Sequence, residues 1–124
     1  GFDWWFRNKV ATGLRSGERK IFFETRECRV AGIAIAKREM QERKLCTLYV
    51  LPEFRNTGVA SELAAEAFEW LGTEKPLFSV PEERIYEFRT LIRMWDFHQT
   101  NRILGAYREG KVEYVFNGHL RPLC

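Results

Sequence analysis

Residues 45–71 read LCTLYVLPEFRNTGVASELAAEAFEWL, and no other part of the chain is as informative about architecture. The run Leu45 to Leu51 is apolar nearly throughout, which predicts a central strand buried on both faces. Pro52 ends the pairing of that strand, because proline cannot donate to a β-ladder. Apolar side chains then recur at near-helical spacing and predict a helix that stops at Gly72, namely Val59, Leu63, Ala67 and Trp70. The order is therefore a buried strand, a turn of small and polar residues, and a helix.

The turn Arg55-Asn56-Thr57-Gly58-Val59-Ala60 has the composition of an anion site. The first turn of a helix leaves backbone N–H groups unpaired and carries about half a positive charge from the helix dipole, so a phosphate can bind there. Gly58 lets the backbone approach a ligand, and Arg55 can add a fork of donors that favours a diphosphate. The turn lacks both the GK(S/T) sequence of a nucleotide triphosphate loop and the three glycines of a dinucleotide site, so these two ligand classes are excluded.

The pattern R-x-x-G-x-A after an apolar strand, here Arg55 to Ala60, resembles motif A of the GNAT superfamily of acetyltransferases, usually written (R/Q)-x-x-G-x-(G/A). The order of elements along nearly the whole chain is also similar to that of the family, from its second helix to its seventh strand. The resemblance implies an α/β (α+β) fold with a mixed, mostly antiparallel sheet of about six strands flanked by helices. It further implies that the sheet splays apart between the strands at 45–51 and 76–80, where acetyl-CoA binds as cosubstrate.

The same resemblance implies which residues hold acetyl-CoA. Backbone groups on the strand would pair with the pantetheine arm and polarise the thioester carbonyl, at Leu48, Tyr49 and Val50. Backbone amides of the turn, with a serine close by, would hold the pyrophosphate, at Arg55, Asn56, Thr57, Gly58, Val59, Ala60 and Ser61. The physical chemistry agrees, because a strand edge left unpaired offers N–H and C=O groups to an amide-bearing ligand.

Direct acetyl transfer needs a neutral amine as nucleophile and an acid that protonates the departing thiolate. In many GNAT enzymes that acid is a tyrosine four residues before the glycine of a Gly-Phe pair. Asp96-Phe97 takes the place of that pair here, so Ile92 stands at the tyrosine position. Tyr86 and Glu83, on the same predicted helix, are the candidates for acid and base. The alternative role of Glu83 is to stabilise a solvated helix N-terminus.

The resemblance implies an acetyl-CoA-dependent N-acetyltransferase that moves the acetyl group directly to an amine, on a small molecule or on a protein. The alternative is a GNAT-like domain that binds CoA as an interaction or regulatory module without efficient catalysis, which Ile92 at the acid position favours. Family domains open with a strand and a helix before the helix predicted at 3–14, and we expect both to be missing here. We therefore expect an open acceptor side that suits a large or surface-presented amine better than a small enclosed one. Homodimers are common in the family, and this association stays open.

The remaining elements follow from periodicity and turn chemistry. Predicted helices cover residues 3–14 and 81–95, the second with a capping box formed by Ser79 and Glu82. Predicted strands cover 20–25, 30–36 and 76–80. The runs 102–108 and 111–116 predict a hairpin joined at Glu109 and Gly110.

Composition bounds the class of protein. The 124 residues are 45% hydrophobic and 30% charged, with ten Phe, four Trp and four Tyr, which predicts a single globular domain over residues 1–124. The net charge is only +3, with 20 Lys and Arg interleaved among 17 acids, so charge gives no support to nucleic-acid binding. No apolar run approaches the roughly 20 residues of a membrane span.

The number and spacing of the cysteines and histidines argue against a metal site and against disulfide bonds. Cys28, Cys46 and Cys124 are odd in number and far apart, which supports neither a disulfide framework nor a zinc cluster. His98 and His119 have no second ligand at metal spacing. We expect a cytoplasmic protein without a metal, a membrane or a nucleic-acid partner.

Overall fold

The computed structural model describes Trp4, Arg7 and residues 10–120. The helices of these residues are α1 (Ala11–Ser16), α2 (Val59–Leu71) and α3 (Ile85–Met94), with short 3-10 helices at Pro52–Phe54 and Glu82–Arg84. The strands are β1 (Arg19–Arg26), β2 (Arg29–Arg38), β3 (Arg43–Val50), β4 (Leu77–Pro81), β5 (Gln99–Leu104) and β6 (Val112–Phe116). Contacts divide the chain into two compact units, Gly1–Thr73 and Glu74–Cys124.

Strands β1, β2 and β3 form an antiparallel meander in the first unit. The β1–β2 turn consists of Glu27 and Cys28, whose φ angles of 54° and 60° are both left-handed. Two successive positive φ angles match the two-residue turn whose twist suits a hairpin. The strands predicted at 20–25, 30–36 and 45–51 are confirmed, with ends that shift by at most two residues.

Helix α2 packs on one face of this meander. The rings of Phe22 and Trp70 meet edge to face with centroids 6.3 Å apart. A Cβ on Gly32 would lie 2.9 Å from Cγ1 of Val59, so β2 approaches α2 as closely as only glycine allows. Tyr49 lies on the opposite face, because side chains alternate along a strand, and it is 38% exposed. The prediction that this strand is buried on both faces is therefore wrong for the face that carries Tyr49, since α2 covers the other one.

Helix α1 packs on the same face as Tyr49. A Cβ on Gly13 would lie 2.5 Å from Cγ of Arg19, which alternates with the α2-facing Phe22 along β1. The helix predicted over 3–14 extends further than expected, because Gly13 lies inside α1 and the left-handed Gly17 (φ 82°) closes it after Ser16. Residues 3, 5, 6, 8 and 9 of that prediction lie outside the described residues.

In the second unit β6 pairs with β4 on one side and with β5 on the other, both antiparallel. Phe78 of β4 is the centre of an aromatic cluster that joins the strands to α3. Its ring centroid lies 5.6 to 6.5 Å from those of Phe88, Trp95, Phe97 and Phe116. The strand predicted at 76–80 is confirmed as β4.

Two predicted details of the second unit are wrong. No side chain caps α3, and Oε1 of Glu82 accepts a hydrogen bond from the backbone N–H of Val112 at 2.9 Å instead of closing a capping box. The last hairpin has a longer connection than expected, because the left-handed Gly105 (φ 77°) ends β5 at Leu104. Residues 105–111 therefore form the loop, and Glu109 and Gly110 lie near its end.

The fold class is the predicted one: the described strands form a mixed, mostly antiparallel open sheet of six strands flanked by helices. The splay between the strands at 45–51 and 76–80 concerns one unit relative to the other and stays a prediction. The single domain over residues 1–124 likewise stays a prediction.

Candidate functional site

The connection from β3 to α2 has the geometry of a tight, open turn. Strand β3 ends at Val50, and Pro52 begins the 3-10 helix that follows. Asn56 (φ 64°) and Gly58 (φ 87°) are both left-handed, so the chain reverses within a few residues before α2 begins at Val59. Asparagine and glycine are the residues that tolerate this conformation best. The sequence therefore specifies the turn locally.

The first turn of α2 carries no side-chain cap. The helix starts when the N–H of Glu62 donates to the carbonyl of Gly58 at 3.0 Å, so the N–H groups of residues 59–61 have no partner within the helix. Nothing lies within 4 Å of the place where a Cβ of Gly58 would be, which leaves room beside these groups. The side chain of Val59 is buried, so only its backbone is available to a ligand.

The other side chains of the turn have defined roles. The hydroxyl of Thr57 donates to the carbonyl of Phe54, which fixes the turn from within. Asn56 is exposed and Ser61 is half-buried, and both lie within three residues of Gly58 along the chain. The exposed carboxylate of Glu62 pairs with Arg26 at 2.6 Å, which reduces its repulsion of an anion on the same helical turn.

Arg55 folds back over the end of β3. Its Nε donates to the carbonyl of Val50 at 3.2 Å, and its Cζ lies 5.9 Å from the ring centroid of Tyr49. These two contacts hold part of the guanidinium group against the end of β3. The predicted role of Arg55 as a fork for a diphosphate stays a prediction, and the geometry adds a second role in fixing the strand end.

The backbone groups of β3 point alternately to the two edges of the strand, and β2 lies along one of these edges. The N–H of Leu51 donates to the carbonyl of Ala31 on β2 at 2.8 Å. Backbone groups alternate in direction along a strand, so Tyr49 also directs its N–H and C=O toward β2. Leu48 and Val50 then direct theirs to the other edge. The predicted contacts of Leu48, Tyr49 and Val50 with the pantetheine arm stay predictions.

The candidates for acid and base lie in the second unit, and each contacts an arginine side chain. Tyr86 is 72% exposed, with its ring centroid 3.8 Å from Cζ of Arg89. Glu83 pairs with Arg108. Backbone hydrogen bonding at Glu83 and the contact with Arg108 hold the pKa of this carboxyl below its usual value, which makes it a weaker base. This geometry favours the stabilising role of Glu83.

The end of α3 explains why glycine suits the position of Asp96. Asp96 is left-handed, with φ of 53°. Its N–H donates to the carbonyl of Arg93 at 3.1 Å, and the N–H of Phe97 donates to the carbonyl of Ile92 at 3.0 Å. This pair of bonds is the Schellman arrangement, in which the left-handed residue is usually glycine. Ile92, at the tyrosine position, is half-buried.

Sequence reasoning missed Gly32, which brings β2 against the start of α2. Its Cβ would lie within 3.0 Å of both Val59 and Leu63. The available signal was an isolated glycine inside the apolar run VAGIAIA, a pattern typical of close backbone approach.

Metal ligation and membrane crossing find no support. In the part of the chain that the structure describes, no three His, Cys, Asp or Glu side chains are placed to share a metal ion. None of the helices in residues 10–120 combines the length and the hydropathy that a membrane crossing requires.

Comparisons with known proteins identify the family and the fold. The profile described as "Acetyltransferase (GNAT) family" matches residues 3–78. None of the curated protein sequences matches the chain significantly. Similar solved structures include nourseothricin acetyltransferase, with a TM-score of 0.72, 16% identity and coverage of 82% of this chain and 65% of that chain.

Two further structures are similar at low identity. The ribosomal-protein-S18-alanine N-acetyltransferase from Escherichia coli has a TM-score of 0.70 and 16% identity over 87% of this chain and 73% of that chain. A GNAT family acetyltransferase from Elizabethkingia anophelis, solved with acetyl-CoA bound, has a TM-score of 0.66 and 10% identity over 89% and 82% of the two chains. These likenesses show the fold, and the profile covers more than half of the sequence. The chain belongs to the acetyltransferase (GNAT) family.

Proposed function

We propose that this chain is an acetyl-CoA-dependent N-acetyltransferase that transfers an acetyl group directly to an amine. The observation that carries the proposal is the uncapped start of α2, reached from β3 through the left-handed Asn56 and Gly58. Family membership supports the same activity, because the matched profile is that of acetyltransferases. A cytoplasmic location is part of the proposal.

In this proposal the first turn of α2 holds the pyrophosphate of acetyl-CoA. The N–H groups of residues 59–61 have no intrahelical partner, and the helix dipole adds positive potential at the same place. The open space beside Gly58 allows a bulky anion to reach these groups. Asn56 and Ser61 lie close to Gly58 along the chain and can add hydrogen bonds.

We also propose that the strand residues Leu48, Tyr49 and Val50 contact the amide-bearing arm and the thioester. Arg55 fixes the end of this strand, because its Nε donates to the Val50 carbonyl. A backbone N–H aimed at the thioester oxygen stabilises the negative charge that develops there during acyl transfer. When bound, acetyl-CoA supplies an acetyl group whose C–S bond breaks as the C–N bond to the amine forms, and the amine proton passes to the thiolate.

Tyr86 and Glu83 remain the proposed acid and base. The salt bridge from Arg108 to Glu83 makes that carboxylate a weaker base, so a base role would require the pair to separate. A tyrosine acid is tested by Tyr86→Phe, which removes the hydroxyl and retains the ring. We expect this variant to lower kcat on the order of 10²-fold if Tyr86 is the acid.

An acceptor screen tests the proposed function. The full chain is incubated with acetyl-CoA and a panel of peptides with free N-termini, lysine peptides, polyamines and aminoglycosides, and mass spectrometry records acetylated products. Turnover above the background without protein is the expected result. Tight acetyl-CoA binding without any acetylated product would instead favour the non-catalytic CoA-binding module.

A further inference from the structure

Strand β1 runs under helix α2 in the opposite direction and ends beside the first turn of the helix. Phe22, early in β1, meets Trp70 near the end of α2, with ring centroids 6.3 Å apart. Arg26, the last residue of β1, meets Glu62 in the first turn of α2. The strand therefore places a guanidinium group at the end of the helix to which we assign the pyrophosphate.

The guanidinium group of Arg26 has contacts with both elements. Its Nη2 donates to Oε2 of Glu62 at 2.6 Å. Its Nη1 donates to the carbonyl of Thr25 at 2.8 Å and lies 3.6 Å from Oε2 of Glu24. Because a backbone carbonyl and two carboxylates share this cation, it has a defined position beside Glu62.

Several carboxylates surround Arg26 at the start of α2. The charges of Glu24, Glu62 and Glu66 interact, and after partial burial this repulsion is the next cause that raises the pKa of Glu24. Glu62 directly follows residues 59–61, whose N–H groups have no partner within the helix. A full negative charge on Glu62 exceeds the roughly half positive charge that the helix dipole supplies at the same end. Without a cationic partner, Glu62 would therefore offset the attraction of the helix start for an anion.

We propose that Arg26 is a positioning residue for the CoA site, which neutralises Glu62, holds its carboxylate toward β1 and so keeps the potential at the start of α2 positive. This inference rests on the proposed function, and it adds a determinant of cosubstrate affinity outside the turn of residues 55–60. Arg26 acts through Glu62 and needs no contact with the ligand. Its effect is electrostatic, so it depends on the phosphate charges of acetyl-CoA and on the ionic strength.

A purely structural role of the same ion pair gives a different pattern. If the pair only joined β1 to α2, Arg26→Gln and Glu62→Gln would have the same effect on acetyl-CoA binding, because each breaks the contact. The electrostatic role predicts effects of opposite sign. Arg26→Gln exposes the ligand to a negative charge, whereas Glu62→Gln removes that charge and leaves Arg26 in place.

The test measures the Kd of acetyl-CoA by titration calorimetry at about 0.1 M and about 1 M NaCl, where the Debye lengths are about 10 and 3 Å. The proteins are wild type, Arg26→Gln, Arg26→Lys, Glu62→Gln and the double variant Arg26→Gln/Glu62→Gln. Lys20→Gln is the matched control, because Lys20 lies on the same face of β1, with Nζ 5.2 Å from the Phe22 ring centroid. It removes the same charge about 20 Å further along the strand. Melting temperatures show that each variant is folded.

We expect Arg26→Gln to raise the Kd about threefold or more at the lower salt concentration and hardly at all at the higher one. Glu62→Gln should lower the Kd, and Arg26→Lys and Lys20→Gln should keep the wild-type value. The double variant has the net charge of wild type, so its Kd should lie within about twofold of the wild-type Kd.

Three results would overturn the inference and leave the proposed function in place: an unchanged Kd in Arg26→Gln, a loss of affinity that persists at high salt, or a loss that persists in the double variant. Absence of acetyl-CoA binding by the folded wild type would overturn both.

Discussion

Asp96 shows how one residue can depart from a family pattern and still keep its geometry. The backbone at this position is left-handed, with φ of 53°, and the two Schellman hydrogen bonds at the end of α3 are formed. Aspartate tolerates this conformation at a cost that glycine does not have. The departure therefore weakens the helix end without changing its shape.

We predict that Asp96→Gly stabilises the protein by about 1 kcal/mol, because glycine relieves the left-handed strain at that position. Thermal unfolding measures the change. Gly105→Ala is a matched substitution with the opposite expected effect. Gly105 is also left-handed (φ 77°) with open space around it, so alanine there should destabilise the protein. A lower melting temperature for Asp96→Gly would show that the carboxylate contributes more than the strain removes.

Glu24 makes the stability of the folded protein depend on pH. Partial burial and the nearby carboxylates of Glu66 and Glu62 raise the pKa of Glu24 above its usual value, despite the contact with Arg26 at 3.6 Å. A raised carboxyl pKa means that the folded state binds the proton more tightly than the unfolded state does. The contribution of this group to stability is therefore lost as the pH rises through the folded pKa.

We expect Glu24→Gln to raise the melting temperature at pH 7 by about 1–2 °C, because the substitution removes a partly screened repulsion. The gain should vanish below pH 4, where the wild-type carboxyl is protonated. Glu109→Gln, which removes the same charge from the exposed β5–β6 loop, serves as the control. An equal gain at both pH values would contradict the assigned cause.

At the scale of elements, the contact between β2 and α2 couples the meander to the proposed anion site. Gly32 leaves no space for a Cβ beside Val59 and Leu63 in the first turns of α2. We predict that Gly32→Ala destabilises the protein by about 1–3 kcal/mol through overpacking. We also expect it to weaken acetyl-CoA binding, because the start of α2 must shift.

The control for that variant is Gly118→Ala, where the nearest atom to the new Cβ is Leu77 Cδ1 at an ordinary 3.4 Å. Chemical denaturation and an acetyl-CoA titration measure the two effects. An unchanged acetyl-CoA affinity in a folded Gly32→Ala protein would contradict this prediction, because it would show that the packing of α2 against β2 does not affect acetyl-CoA binding.

The elements were predictable where a local rule determined them. Helix α2 ends at Gly72 as expected, because Gly72 is left-handed (φ 76°) and no other residue adopts this conformation at so low a cost. The start of α3 was not predictable from its sequence, because Glu82 bonds to Val112, 30 residues away. The exposed face of β3 was also missed, since an apolar run does not reveal which helix covers which face. The splay of the sheet and the identity of the catalytic acid were not predictable in this way, because both depend on how segments that are distant in sequence meet.

For the molecule as a whole, the proposed function depends on the binding of acetyl-CoA at the start of α2. Gly58 and Gly72 provide a matched pair to test it, because both are left-handed, at φ 87° and 76°, with nothing within 4 Å of a Cβ. Glutamate at either position incurs similar backbone strain. Only Gly58→Glu places bulk and negative charge beside the N–H groups of residues 59–61.

The measurement is the thermal stabilisation of wild type, Gly58→Glu and Gly72→Glu by acetyl-CoA, each relative to the same protein without it. At about 100 times the dissociation constant, binding should stabilise wild type and Gly72→Glu by about 2.7 kcal/mol each. We expect Gly58→Glu, although folded, to gain little or no stability from acetyl-CoA. Stabilisation of Gly58→Glu equal to that of wild type would contradict it.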